Sequence, residues 1–266
     1  MTVAILLSCM HQKDASIVNR SNINTDVVVV NQCDNNDVVQ FTNTSVDGKP
    51  YVVKMVNTTE RGLSRSRNMA ISHAKSDICL ISDDDEVFVS DVVDRVVKAY
   101  EEHPEADVIS FKVDGTESSK KKYAQKVSRV GYLNAMHIAS VQISFRRNSI
   151  LQNGITYDPE MGAGTGHGCG EENKFLFDCL RKGLRVVHVP VTIASLEDRG
   201  ESRWFKGWTE RFFLERGWAT ARYLGKPLAI VYAVYYAIKK RKAYGKDVSV
   251  WKALKNMVKG VFKKEI

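Results

Sequence analysis

Two hydrophobic periods alternate along the first 115 residues, and that alternation admits few architectures. Short runs rich in β-branched residues, at 3–7, 26–30, 51–56, 77–82 and 107–113, have the continuous apolar character of strands buried on both faces. Between them, residues 64–73 and 90–103 show helical spacing. In the second segment Val89, Val92, Val93, Val96, Val97 and Tyr100 form one stripe, with Ser90 as the expected N-cap and Pro104 as the stop. Strands interleaved with helices predict an α/β fold with a mainly parallel sheet flanked by helices. In such sheets ligands bind outside the carboxyl ends of the strands.

The rest of the chain continues the pattern less regularly. Residues 140–146 and 185–189 read as strands, and 171–181 as a helix with Phe175, Leu176, Cys179 and Leu180 on one face and Gly183 closing it. Residues 1–203 are expected to form one domain, with halves of 1–115 and 116–203. Residues 204–266 are expected to form a C-terminal aromatic and basic helical extension. Five cysteines, at positions 9, 33, 79, 169 and 179, are odd in number and contain no CxxC pair. That argues against a disulfide framework and a zinc ribbon, and predicts buried, reduced thiols.

The longest apolar stretch, 227–238, falls short of the roughly 20 residues of a membrane-spanning helix. The first ten residues read as a buried strand without a signal-peptide pattern, so a cytoplasmic protein is expected. Net charge is +8, and it is concentrated at one end. Residues 226–266 hold eleven Lys or Arg and two acids, net +9, while the other 225 residues sum to −1. The tail therefore addresses an anionic surface. Its residues Val248, Trp251, Leu254, Val258 and Phe262 recur at helical spacing among lysines, which predicts an amphipathic helix lying on the inner face of the cell membrane with Trp251 as anchor.

Four segments could carry chemistry. Cys79-Leu80-Ile81-Ser82-Asp83-Asp84-Asp85-Glu86 places four acids directly after an apolar strand. Clustered carboxylates repel one another unless a cation joins them, and Mg²⁺ or Mn²⁺ under a diphosphate would do so. Arg61-Gly62-Leu63-Ser64-Arg65-Ser66-Arg67-Asn68 turns at a glycine into a helix whose first turns carry arginines suited to phosphate oxygens. Five glycines then alternate through residues 162–170, without the Lys-Ser/Thr ending of a nucleotide P-loop. Glu171 and Glu172 follow at a helix N-terminus, where the dipole favours an ionised carboxylate and thus a general base. From Trp204 to Tyr223 aromatic and basic residues interleave, which fits packing together with the wall of a sugar site better than nucleic-acid binding. The polar residues 195–202 just before them read as an active-site loop.

In this order, the apolar first strand, the polar turn Asn31-Gln32-Cys33-Asp34, the Arg61 segment, Asp83-Asp84-Asp85 and Gly170-Glu171-Glu172 resemble a family 2 glycosyltransferase of GT-A fold, of the bacterial surface-polysaccharide type. The resemblance covers roughly residues 1 to 200. It implies an inverting transferase with a nucleotide-sugar half (1–115) and an acceptor half (116–203), a nucleotide-sugar donor, UDP-sugar favoured, and a glycan or lipid-linked acceptor. It implies that Asp83 and Asp85 hold Mn²⁺ or Mg²⁺, with Asp83 and Asp84 on the donor. It also puts Gln32 and Asp34 near the base, Arg67 and Asn68 beside the nucleotide, and Glu172 as catalytic base, with Glu171 the alternative. Two other enzymatic and non-enzymatic possibilities use the same residues: a nucleotidyltransferase, and a catalytically silent sugar-nucleotide binder attached to the membrane.

Overall fold

The apolar runs become the strands of one sheet in the computed structural model, which describes residues 1–45, 47–116, 125–197, 205 and 207–263. In the first half the elements are β1 (Val3–Met10), α1 (Ile17–Arg20), β2 (Asp26–Gln32), β3 (Asp37–Thr44), β4 (Pro50–Thr58), α2 (Leu63–His73), β5 (Ile78–Asp83), β6 (Glu86–Phe88), α3 (Val92–Glu102) and β7 (Val108–Asp114). Then come β8 (Ser128–Arg129), α4 (Tyr132–Ala135), β9 (Ile143–Arg146), α5 (Arg147–Gln152), α6 (Glu171–Arg181), β10 (Val186–Leu196), α7 (Glu210–Leu224), α8 (Lys226–Lys239), α9 (Arg241–Tyr244) and α10 (Val250–Phe262). The Lys120-Lys121-Lys122 run, Trp204 and positions 198–202 of the expected loop lie outside the described residues.

The sheet has ten strands in the order β3-β4-β2-β1-β5-β9-β7-β10-β6, with β8 paired to β10. β4, β2, β1 and β5 are mutually parallel, and β7 and β10 are parallel to each other. β9 runs antiparallel to both β5 and β7, so those two point the same way. β3 and β6 complete the ends as antiparallel strands. The inner strands are buried on both faces, as their uninterrupted Val, Ile and Leu content requires. Val92, Val96, Ala99 and Tyr100 of α3 join them in the core, with Val89, Val93 and Val97 packed at its margin.

Two local expectations are corrected. The N-cap of α3 is Asp91, not Ser90, and it makes no side-chain capping bond. Residues Ser140–Gln142 form a 3-10 turn, so only Ile143–Arg146 of the expected strand extends the sheet. After β5, Asp84 and Asp85 turn the chain into β6. Glycine at 183 does end α6 as expected, in a left-handed conformation (φ 80°). There Leu184 N–H donates to the Cys179 carbonyl and Gly183 N–H to that of Leu180.

The residues fall into two compact units. The sheet and its flanking helices make the first. The second gathers Gly62–Ser64, Asp158–Lys174 and the helices from α7 onward. Within the second unit, α7 and α10 touch through glycines. A Cβ on Gly260 would sit 2.0 Å from the Leu214 carbonyl oxygen, and one on Gly217 2.0 Å from that of Met257. The stripe seen in the sequence is therefore only partly buried: Val248 lies in the core of this unit, and Leu254 and Val258 pack at its margin. α10 buries Ala253, Met257, Gly260 and Val261, and leaves Trp251 and Phe262 at 73% and 57% exposure. Replacing Gly260 by Ala should cost about 3 kcal/mol or more, because two helix backbones must separate to admit the methyl group. Chemical denaturation of the variant measures this.

Candidate active site

The carboxyl ends of β1, β2, β4 and β5 lie along one edge of the sheet. β1 takes β2 on one side and β5 on the other, both parallel, so the chain leaves β1 in one direction and returns past it to enter β5. Connections diverge at such a point and leave a crevice. The register sets Asp83 opposite Ser8, and Gln32 opposite Met10 and Thr58. Gln32 is buried at the end of its strand. Asp34, just beyond it, has a side chain 90% exposed and accepts a 2.8 Å bond from Arg61 Nη2. Arg61 Nη1 donates to the carbonyls of Cys33 (2.8 Å) and Thr58 (3.2 Å), which fixes that turn. Asn31, 1% exposed, accepts from Gln12 N–H and donates to the Gln12 carbonyl and to Asn57 Oδ1, tying the β1–α1 turn to two strand ends. Beside that turn an open pocket of ≈ 610 Å³ lies between Gln12, Lys13 and Asp14 and the β3 residues Asp37, Val39 and Phe41.

The four acids separate into different environments. Asp83, Asp84 and Asp85 are half-buried, while Glu86 is 1% exposed. Burial pushes the Glu86 carboxyl well above the usual carboxylate range, and the neighbouring Asp83 and Asp85 push it further. Ser82 and the Asp83 backbone lie close enough to oppose this, but neither Glu86 oxygen has a hydrogen-bond partner among the described residues. Its burial thus favours the neutral form of Glu86. Asp83 Oδ1 accepts from Arg67 Nη2 at 3.0 Å. That arginine is completely buried, with its guanidinium 5.4 Å from the Tyr157 ring centroid. Asn68 holds the backbone of the same tyrosine, donating to its carbonyl (2.7 Å) and accepting from its N–H (2.8 Å). Of Arg67 and Asn68, which the sequence resemblance places beside a nucleotide, Arg67 is buried and Asn68 half-buried. Arg67 orients Asp83 and Asn68 orients the tyrosine beneath it.

Among the described residues no group of three or more His, Cys, Asp or Glu side chains is assembled as a metal site. Two half-buried carboxylates at the β5–β6 turn nevertheless fit a hard divalent cation whose other positions are filled by phosphate oxygens and water.

In the second unit the glycine segment folds on itself. Gly162 N–H donates to the His167 carbonyl at 2.9 Å, and Thr165 Oγ1 donates to the Gly162 carbonyl at 2.7 Å. Gly162 has φ 96°, and a Cβ there would press on Ser64 Oγ and on the Glu171 carboxyl carbon at 3.3 and 3.4 Å. The turn sets Gly162 against Glu171 and against Ser64, whose hydroxyl donates to the Met161 carbonyl. Glu171 is buried and Glu172 half-buried, both in the first turn of α6. Of the two, Glu172 offers the more accessible carboxylate.

Comparison with known proteins decides the family. The family model described as "Glycosyl transferase family 2" matches residues 10–163. The chain belongs to glycosyltransferase family 2. The match spans Asp34, Arg67, Asn68 and the Asp83-Asp84-Asp85 turn of this glycosyltransferase, and stops before Glu171. S. aureus TarS 1–349 in complex with UDP-GlcNAc superposes with a TM-score of 0.65 at 15% identity, over 98% of this chain and 82% of that one. The mannosyltransferase PcManGT from Pyrobaculum calidifontis, in complex with GDP-Man and Mn²⁺, gives 0.57 at 15% identity, over 99% and 88%. Both likenesses show that the fold is GT-A. Among curated proteins none matches the chain.

In the second unit several side chains meet partners distant in sequence, which no local pattern shows. Arg222 donates from Nε and Nη2 to Asp158 Oδ2 (2.9 and 2.7 Å), and its Nη1 lies 2.7 Å from Glu160. The same guanidinium covers Trp218 at 4.7 Å, and His167 stacks on that indole at 3.7 Å between centroids. Burial lowers the pKa of His167 and favours its neutral ring. Phe213, Trp218 and Tyr223 are buried in the second unit, so this part of the aromatic series is packing. His188 is a core residue of β10, within 2.9 Å of Ser110 Oγ.

Proposed function

We propose that this glycosyltransferase moves a sugar, with inversion, from a nucleotide-sugar, of which a UDP-sugar is favoured, to a hydroxyl of a glycan or lipid-linked acceptor. The observation that carries the reading is the Asp83-Asp84-Asp85 turn at the switch point of a family 2 sheet, with Arg67 buried behind it. The nucleotide-sugars and Mn²⁺ bound in the two fold neighbours support it.

Asp83 and Asp85 would hold Mn²⁺ or Mg²⁺. Bound there, such a cation supplies charge neutralisation for the departing diphosphate. The protein's own residues do the rest. Arg67 keeps Asp83 in one orientation, and Asp34 with Gln32 borders the space for the base. Glu172, at the positive end of α6, accepts the proton of the acceptor hydroxyl. As that O–H bond breaks, the oxygen forms its bond to the anomeric carbon from the face opposite the leaving group. The bond from that carbon to the diphosphate oxygen breaks, and its electron pair leaves with the nucleoside diphosphate.

The test is incubation of the full chain with a panel of nucleotide-sugars and Mn²⁺, followed by product analysis. Slow donor hydrolysis releasing the nucleoside diphosphate, and lost in EDTA, is expected. Pyrophosphate release would identify a nucleotidyltransferase instead, and saturable binding without any turnover would identify a silent binder.

A further inference from the structure

Helix α8 presents its large apolar residues to the outside and its small ones to the inside. Ala229, Ala233, Tyr236 and Ala237 are buried. Leu228, Val231, Tyr235 and Ile238 are 60%, 64%, 57% and 53% exposed, and Val234 is 42% exposed. These five fall within about a third of the helix circumference at 3.6 residues per turn. No charged residue lies between Lys226 and Lys239 to interrupt them. A surface helix ordinarily turns such a stripe to the core. Here the alanines take that place, and contiguous exposed apolar surface of this kind marks a contact with something else.

The surroundings say what that contact is. Lys226 stands at one end of the stripe, and Lys239, Lys240, Arg241 and Lys242 at the other, all exposed. The apolar face continues past the Leu228 end, where the exposed ring of Phe262 lies 5.7 Å from Lys226 Nζ. Among the described residues no helix is long and apolar enough to cross a membrane, and the 14 residues of α8 span about 21 Å. A second copy seated on this face would bring two cationic clusters together, which opposes the contact. An anionic lipid surface meets both demands, since acyl chains accept the stripe and headgroups the flanking lysines.

We propose that α8 is an interfacial docking helix that lies in the plane of an anionic membrane with Leu228, Val231, Val234, Tyr235 and Ile238 inserted. This goes beyond the transferase reading and does not depend on it. It adds to the anchor on α10, where the sequence places it and where Trp251 and Phe262 stay exposed.

The experiment is sedimentation of the full chain with vesicles of phosphatidylcholine alone, or of an equal mixture with phosphatidylglycerol, without added donor. The intact protein should bind the mixed vesicles at low salt, bind neutral ones far less, and be released as salt rises. The double variant V231Q/I238Q, altered only at exposed positions, should keep its thermal midpoint and lose about tenfold or more in partitioning. K239E/K240E should lose a similar factor, and W251A less than either. Absence of binding by the intact chain, or unchanged partitioning of V231Q/I238Q, overturns the proposal. So does dissociation of an oligomer in that variant with vesicle binding unchanged, which would assign the face to a second copy.

Discussion

Replacing Glu172 by Gln is expected to remove on the order of 10² to 10⁴ in turnover while leaving donor affinity intact, the usual contribution of a positioned base. The amide keeps the shape of the side chain and its place in the first turn of α6, but cannot take the acceptor proton. Glu171→Gln should reduce turnover far less, since Glu171 is buried beside Gly162. Saturating kinetics of both variants, with donor affinity measured separately, decides the matter. The opposite order of effects would make Glu171 the base.

The second large effect separates two acids that look equivalent on paper. Asp83→Ala should destabilise the protein by about 3 kcal/mol, because it withdraws an ion-pair partner from a buried arginine. The estimate sits at the low end for a broken buried pair, since the Asp83 side chain is 30% exposed. Asp85→Ala, at a half-buried side chain, should cost less stability than Asp83→Ala, which strips a buried arginine of its ion pair. Its effect falls on the metal. Loss of a residue that merely supports a metal ligand costs about 10- to 100-fold in affinity, so loss of the ligand itself should exceed that in Mn²⁺-dependent nucleotide binding. Denaturant titration and nucleotide titration with and without Mn²⁺ check the two halves. Unchanged Mn²⁺-dependent binding in Asp85→Ala would remove Asp85 from the site.

Much of the sheet was legible because its strands are buried on both faces and read as unbroken apolar runs. β3 was missed for the opposite reason. Val38, Val39 and Phe41 are all exposed on that edge strand, so neither a buried run nor a clear alternation marks it. β6 is three residues long and begins with a buried Glu86, which no hydropathy pattern would place inside. The site was legible as a set of residue types at strand ends and helix starts. The roles within it were not: Arg67 reads as a phosphate ligand until the helix is docked, whereupon its guanidinium meets Asp83 and the face of Tyr157.

Local physical chemistry thus determined what kinds of element form, where they end, and which chemistry gathers at the β5–β6 turn and the α6 N-terminus, since periodicity and side-chain type act within a few residues. Tertiary structure decided which acid is buried, which arginine is buried and which helix face stays open. Those outcomes depend on desolvation and on approach between residues far apart in sequence. Gly217 and Gly260 show the reason most directly: the α7–α10 contact is set by side chains that are absent, and an apolar pattern does not record it.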